Sequence, residues 1–140
     1  TGGAVRLQLD QPGRLDALAV HTARRMPLAA HQVEVRVVAA GLSSSEAVTA
    51  VGDAALIGSE CVGYVSGLGA EVNSVWLGQR VIVIGASGSV ASYVTAAADL
   101  VVPAPAGWSD GQAAAVGVAY LTAWHALCEV GRLTAGERVL

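Results

Sequence analysis

Gly58-Ser59-Glu60-Cys61-Val62-Gly63-Tyr64-Val65-Ser66-Gly67-Leu68-Gly69-Ala70-Glu71-Val72-Asn73-Ser74-Val75-Trp76-Leu77-Gly78-Gln79-Arg80-Val81 is the stretch on which the reading of this chain turns. Short apolar runs, Cys61 to Val65 and Val81 to Ile84, are set apart by glycines and small polar residues. Glycine inside a strand pattern marks a bulge, a bend or a close backbone approach, because it has no Cβ to clash there. Recurring every few residues, it wires a small, strongly curved β-barrel rather than a flat sheet.

Strands also lie upstream. Val5, Leu7 and Leu9 alternate with Arg6, Gln8 and Asp10, the pattern of a half-buried strand. Gln11-Pro12-Gly13 is a turn sequence, and Leu15 to Val20 reads as the returning strand. His21 to His31, with Pro27 inside it, reads as loop. Val33, Val35 and Val37 alternate with Glu34 and Arg36 in the clearest strand, which runs to Ala40 and stops at Gly41. Ser43-Ser44-Ser45-Glu46 is a capping box that opens a helix of about two turns, closed by Gly52.

Downstream, Val90 to Thr95 reads as a strand, and Val101-Val102-Pro103-Ala104-Pro105 stays extended because residues before proline avoid the α region. Ser109-Asp110-Gly111-Gln112 is a second capping box. An alanine-rich helix follows to about Val130, interrupted at Gly117, with Gly131 as its C-cap. Thr134 to Leu140 forms a turn into a new strand, so the chain is expected to be cut at the threshold of a further domain. The expected division is a barrel over residues 1–108 and a connecting helix and strand over 109–140. The fold class is mainly β, a partly open barrel with short helices.

Composition sets bounds. A chain of 140 residues with 54% hydrophobic and 14% charged residues can bury a full core. A net charge of −3 gives no footprint for nucleic acid. All eight basic residues are arginine, which excludes a lysine Schiff base or lysine acid/base within these residues. Cys61 and Cys128 fit neither a disulfide framework nor a metal clip, which points to a reducing, cytoplasmic setting. Two uncharged runs approach membrane-spanning length, Val81 to Ala98 and Gly111 to Cys128. The first alternates like strands; the second carries a cap, Gln112, Gly117 and His125, and reads as a buried soluble helix. No charged region precedes an apolar run at the N-terminus, so no signal peptide is expected.

The spacing of Gly58, Glu60, Gly63, Val65, Gly69, Val72, Gly78, Arg80 and Val81 resembles the medium-chain dehydrogenase/reductases. Pro12-Gly13-Arg14-Leu15-Asp16-Ala17-Leu18, Val33-Glu34-Val35-Arg36-Val37, Ala39-Ala40-Gly41-Leu42, Leu121-Thr122-Ala123-Trp124 and Gly136-Glu137-Arg138-Val139-Leu140 are similar to enoyl reductase domains. Those domains belong to type I polyketide synthases and fatty acid synthases. The resemblance implies a GroES-like barrel truncated before a Rossmann domain, with NADPH and an enoyl group on acyl carrier protein in the cleft between the two. The main cofactor motif and the proposed proton donors would lie beyond Leu140, so this chain alone should not catalyse and no catalytic residue is expected in it. A zinc-independent quinone oxidoreductase, or a degenerate non-catalytic carrier-docking module, are the alternatives.

The resemblance also implies cleft residues. Ser43 and Ser44 stand where relatives carry asparagine and phenylalanine facing the nicotinamide; a helix cap alone is the other reading. Ala54 lies where relatives often place a tyrosine associated with methyl-branch stereochemistry. Thr122 sits in the motif that approaches the nicotinamide, although a threonine in an apolar helix can instead bond back to an earlier carbonyl. Glu60, acidic among apolar neighbours, calls for a partner, Arg80 or Arg138. Zinc-dependent relatives use cysteine near the position of Ser43 and histidine where Ser59 stands, and neither ligand is present, so no zinc is expected. His125 and Cys128, three apart, could share a metal, with packing as the alternative; His21 and His31 show no partner. Val81-Ile82-Val83-Ile84-Gly85-Ala86-Ser87-Gly88 imitates a dinucleotide-binding strand and loop, but Ser92, Tyr93, Val94 and Thr95 favour a strand where a crossover helix would be needed.

Overall fold

In a computed structural model of the chain, residues 3–11, 14–43 and 56–139 are described. The Ser43–Glu46 capping box, its helix, the cleft residues Ser44 and Ala54, and Pro12-Gly13 therefore lie wholly or partly outside the described residues. Strands β1 (Val5–Leu9) and β2 (Leu18–Thr22) pair antiparallel, with Val5 opposite Thr22. The second strand starts at Leu18 rather than at the expected Leu15. A 3-10 turn occupies Leu15–Ala17, fixed by the Arg14–Asp16 ion pair and by Ala17 N–H donating to the Arg14 carbonyl at 3.0 Å. The strand then runs on through His21, into the segment expected to be loop.

Five strands make the main sheet: β3 (Gln32–Gly41), β4 (Glu60–Leu68), β5 (Arg80–Ile84), β6 (Tyr93–Ala97) and β7 (Val101–Pro103). All pairs are antiparallel in the order β6-β3-β4-β5-β7. Two register shifts bulge the β3–β4 pair, one leaving Ser66 of β4 without an opposite residue beside Glu34/Val35 and one leaving Val38 of β3 without one between Val37 and Ala39, and bulges of this kind bend a sheet. At Gly63 a Cβ would strike the Arg36 carbonyl of the neighbouring strand. The small sheet leans onto the large one: Leu7 N–H donates to the Val90 carbonyl at 2.9 Å, and Ser92 N–H to that of Val5 at 2.8 Å. Residues 90–92 are taken up by this junction, so β6 begins at Tyr93 rather than Val90. The result is a partly open barrel, and Val81 to Ala91 belongs to its wall.

Side chains on the inner face fill the core: Val33, Val35, Cys61, Val65, Val81, Val83, Val94, Ala96 and Val101 are all buried. On the outer face Val62 and Ile82 pack against Ala113 and Ala114 of helix α1 (Asp110–Ala115). Its capping box forms as the sequence predicts: Gln112 N–H donates to Ser109 Oγ at 3.2 Å, and Gln112 Oε1 accepts from Ser109 N–H at 2.9 Å. The helix breaks at Val116, resumes as α2 (Gly117–Trp124) and loosens into a π-helical turn over His125–Val130. The wider π hydrogen bond, Gly131 N–H to the Ala126 carbonyl at 2.8 Å, moves the stop by one residue. The left-handed position is then Arg132 (φ 50°), while Gly131 keeps an ordinary φ of −74°. The strand expected after Thr134 is not formed through Val139. A strand needs a neighbour to bond to, and here a local turn takes its place, Thr134 N–H donating to Glu137 Oε2 at 2.7 Å. No helix among the described residues is long and apolar enough to cross a membrane.

Candidate functional site

One end of the barrel gathers the chemistry-bearing positions. Antiparallel pairing sets Gly41 opposite Glu60 and Glu60 opposite Ile84, so the ends of β3, β4 and β5 meet there. Ser43 lies two residues beyond Gly41, the last residue of β3. Glu60 is 3% exposed, and its Oε2 accepts a hydrogen bond of 2.8 Å from the Val118 amide in the first turn of α2. A carboxylate there satisfies an amide that helix geometry leaves unbonded, and it complements the positive end of the helix dipole. Neither Arg80 nor Arg138 supplies this partner. Arg80 instead donates to Asp110 Oδ1 at 2.7 and 3.1 Å, tying β5 to the start of α1.

Two glycines make room for the carboxylate. A Cβ at Gly41 would lie 2.7 Å from Glu60 Oε1, and one at Gly117 would lie 2.8 Å from Oε2 and 2.7 Å from Ile84 Cγ1. Barrel and helix are thus locked at a point where only bare backbone fits. Thr122 sits one turn beyond Val118, on the exposed part of α2. Gly41, Glu60 and Val118 thus tie the segments that carry Ser43 and Thr122 to one end of the barrel. Beside them runs an apolar groove of about 340 Å³ between α2 and strands β5 and β7, walled by Ile82, Ile84, Val102, Tyr120, Leu121 and Trp124.

The other candidates fall apart spatially. His125 is exposed rather than packed, and Cys128 is half-buried. No group of three or more metal-ligating side chains occurs among the described residues. His21 does have a partner: its Nε2 lies 2.6 Å from Asp10 Oδ1 across the β1–β2 turn. Burial pushes the Cys61 thiol up to about 11, opposed by its hydrogen bond with Ser89, so it is no nucleophile. Sequence reasoning missed the Arg25–Glu34 pair on β3. Glu34 is buried, also accepts from Ser66 Oγ at 2.8 Å, and is held below the usual carboxylate range by the Arg25 guanidinium first and Ser66 second. An acid between valines in a strand was the available signal.

With this geometry in hand, the sequence matches the alcohol dehydrogenase GroES-like domain over residues 29–106, and the chain belongs to that family. Within it, the enoyl reductase resemblance holds. The chain is 57% identical over 98% of its length to a phenolphthiocerol/phthiocerol polyketide synthase from Mycobacterium tuberculosis, covering 6% of that protein. The crystal structure of the CurK enoyl reductase superposes with a TM-score of 0.92 at 28% identity, over 98% of this chain and 46% of that one. A quinone oxidoreductase from Coxiella burnetii superposes with a TM-score of 0.83 at 26% identity, over 91% of this chain and 45% of that one. The chain therefore spans less than half of these solved relatives and a small fraction of the synthase.

Proposed function

We propose that this chain is the substrate-binding portion of an enoyl reductase within a polyketide-synthase-type polypeptide, acting in the cytoplasm. It would work on α,β-unsaturated acyl thioesters carried by acyl carrier protein. The observation that supports this best is the 57% identity to a polyketide synthase along nearly the whole chain. NADPH, when bound, would supply the hydride that reduces the β-carbon, while the α-carbon takes a proton. The residues here fit one side of such a cleft and not the cofactor's diphosphate. Ser43 and Thr122 border it, and the apolar groove beside α2 suits a hydrocarbon or a covering domain. The glycine loop at Gly85–Gly88, by contrast, runs on into β6, with no helix N-terminus to receive phosphate.

On this reading Glu60 is a positioning residue: it sets α2, and with it Thr122, against the barrel. Residues 1–108 form the barrel unit, and 109–140 lead to a nucleotide-binding domain that closes the cleft. The reductase in its parent polypeptide should oxidise NADPH when given crotonyl thioester. A second reading, a zinc-independent quinone oxidoreductase, draws on the likeness to the Coxiella burnetii structure. It predicts reduction of quinones and indifference to thioesters, so one assay with both substrates decides between them.

A further inference from the structure

Half of the chain's arginines converge on one patch of the barrel. On the outer face of the main sheet, Tyr93 of β6 is paired with Arg36 of β3, Arg36 with Tyr64 of β4, and Tyr64 with Arg80 of β5. Tyrosine and arginine thus alternate in one cross-strand row. The Arg25 guanidinium stands over the Tyr93 ring at 4.4 Å and that of Arg36 over Tyr64 at 5.4 Å. Arg24 and Arg6 share a cleft with Tyr93, and Arg24 and Arg25 border a second, open groove of about 530 Å³. Arg6, Arg24, Arg25 and Arg36 are all exposed.

Charge is not balanced here. Among the described residues the one carboxylate bonded within this group is Glu34, which is sealed beneath Arg25 and Ser66. Four arginines against one acid leave a surplus of three positive charges, in a chain whose net formal charge is −3. The Tyr93 and Tyr64 rings restrain the Arg25 and Arg36 guanidinium groups, which lowers the entropy lost when these are engaged. Arginine and tyrosine are also the residues most enriched where protein surfaces meet. The cations are spread along strands rather than aimed at one point, so they match carboxylates distributed over a protein face better than a single phosphate.

We infer that this arginine–tyrosine face is the docking surface for the acyl carrier domain of the same polypeptide, which meets it through its own carboxylates. The inference rests on the reductase reading above, in which substrate arrives tethered to that domain. Position supports it: the row ends at the Arg80–Asp110 pair, where α1 begins, and α1 leads to α2 and the cleft end of the barrel. Weak contact suffices, because a domain tethered in cis is present at high effective concentration, and the chain's relatives are long multidomain synthases.

The test uses the reductase in its parent polypeptide with Arg24→Glu and Arg36→Glu combined, two exposed residues outside the Glu60–Val118 lock. Crotonyl substrate is offered on the carrier domain and on a short pantetheine thioester. The expected result is a KM for the carrier-bound form raised about tenfold or more, with KM for the short thioester and both kcat values unchanged. Added salt should raise the native KM for carrier substrate and leave that of the variant alone. An equal change for both substrates, or no change for the carrier-bound one, overturns the docking. If neither substrate turns over, the reductase reading has failed, and docking is decided separately by the fluorescence anisotropy of labelled carrier domain. Binding to the native protein that is lost in the variant upholds it. No binding, equal competition by inorganic phosphate, or loss only of self-association in the variant overturns it.

Discussion

At Gly117 the ordinary rule for glycine in a helix reverses. Replacing a helical glycine by alanine stabilises by up to about 1 kcal/mol, because the unfolded chain loses freedom. Here the new methyl would press on Glu60 Oε2 and Ile84 Cγ1. Gly117→Ala should therefore cost about 1–3 kcal/mol in urea unfolding. Gly111→Ala, where a Cβ meets nothing within 4 Å, should be neutral or stabilising. Cys61 gives a second residue-scale expectation. Its thiol, raised by burial, stays protonated at pH 8, so a thiol reagent should label Cys128 in the native protein and Cys61 only after unfolding, as read by intact mass. How far such details were legible varies by residue. Glu60 announced its need for a partner by standing among apolar residues. That the partner is the Val118 amide, 58 positions away, could not be read, because it depends on where α2 comes to rest.

At the scale of elements, the Arg25–Glu34 pair staples the segment between β2 and β3 to the outer face of β3. The folded Glu34 carboxyl sits below its ordinary value of 4.5, chiefly through the hydrogen bond from Arg25. A depressed carboxylate adds stability that is complete above the unfolded value and is lost as pH falls through the folded one. Glu34→Gln should therefore lower stability by about 1–2 kcal/mol at pH 7. The gap to the native protein should close as pH drops from about 5 through the folded value, in urea midpoints followed against pH. A constant gap across that range would remove the pair from the account. Alternation in β3 placed Glu34 outward correctly and still missed its burial, since Arg25 and Ser66 reach over from elsewhere in the chain. Strand ends escaped for a related reason: Leu18 and Tyr93 open their strands where hydrogen bonds of the Arg14 turn and the Ser92 junction allow, and no side-chain period reports that.

For the molecule as a whole, the barrel has a closed core and one unfinished side. Tyr120 is 71% exposed, Leu121 52% and Trp124 61%, all on α2 and all on the wall of the apolar groove. Scattered surface apolar residues need no account, but a contiguous set beside an open apolar groove marks a contact surface. On the reading proposed above, a nucleotide-binding domain covers it. With Trp76 and Trp108 replaced by phenylalanine, and any tryptophan outside these 140 residues replaced likewise, Trp124 reports on that surface by fluorescence. Its emission should be that of a solvated indole in the 140-residue chain and shift to the blue in the longer reductase. Trp124→Arg sharpens the contrast. It should change the stability of the 140-residue chain by no more than about 0.5 kcal/mol, as an exposed substitution does. In the longer protein it should cost several times that, because a charge would then be buried without a partner. Equal emission in the two proteins, together with equal tolerance of Trp124→Arg, would mean that the outer face of α2 meets water in the assembled enzyme and that the cleft is closed from another side.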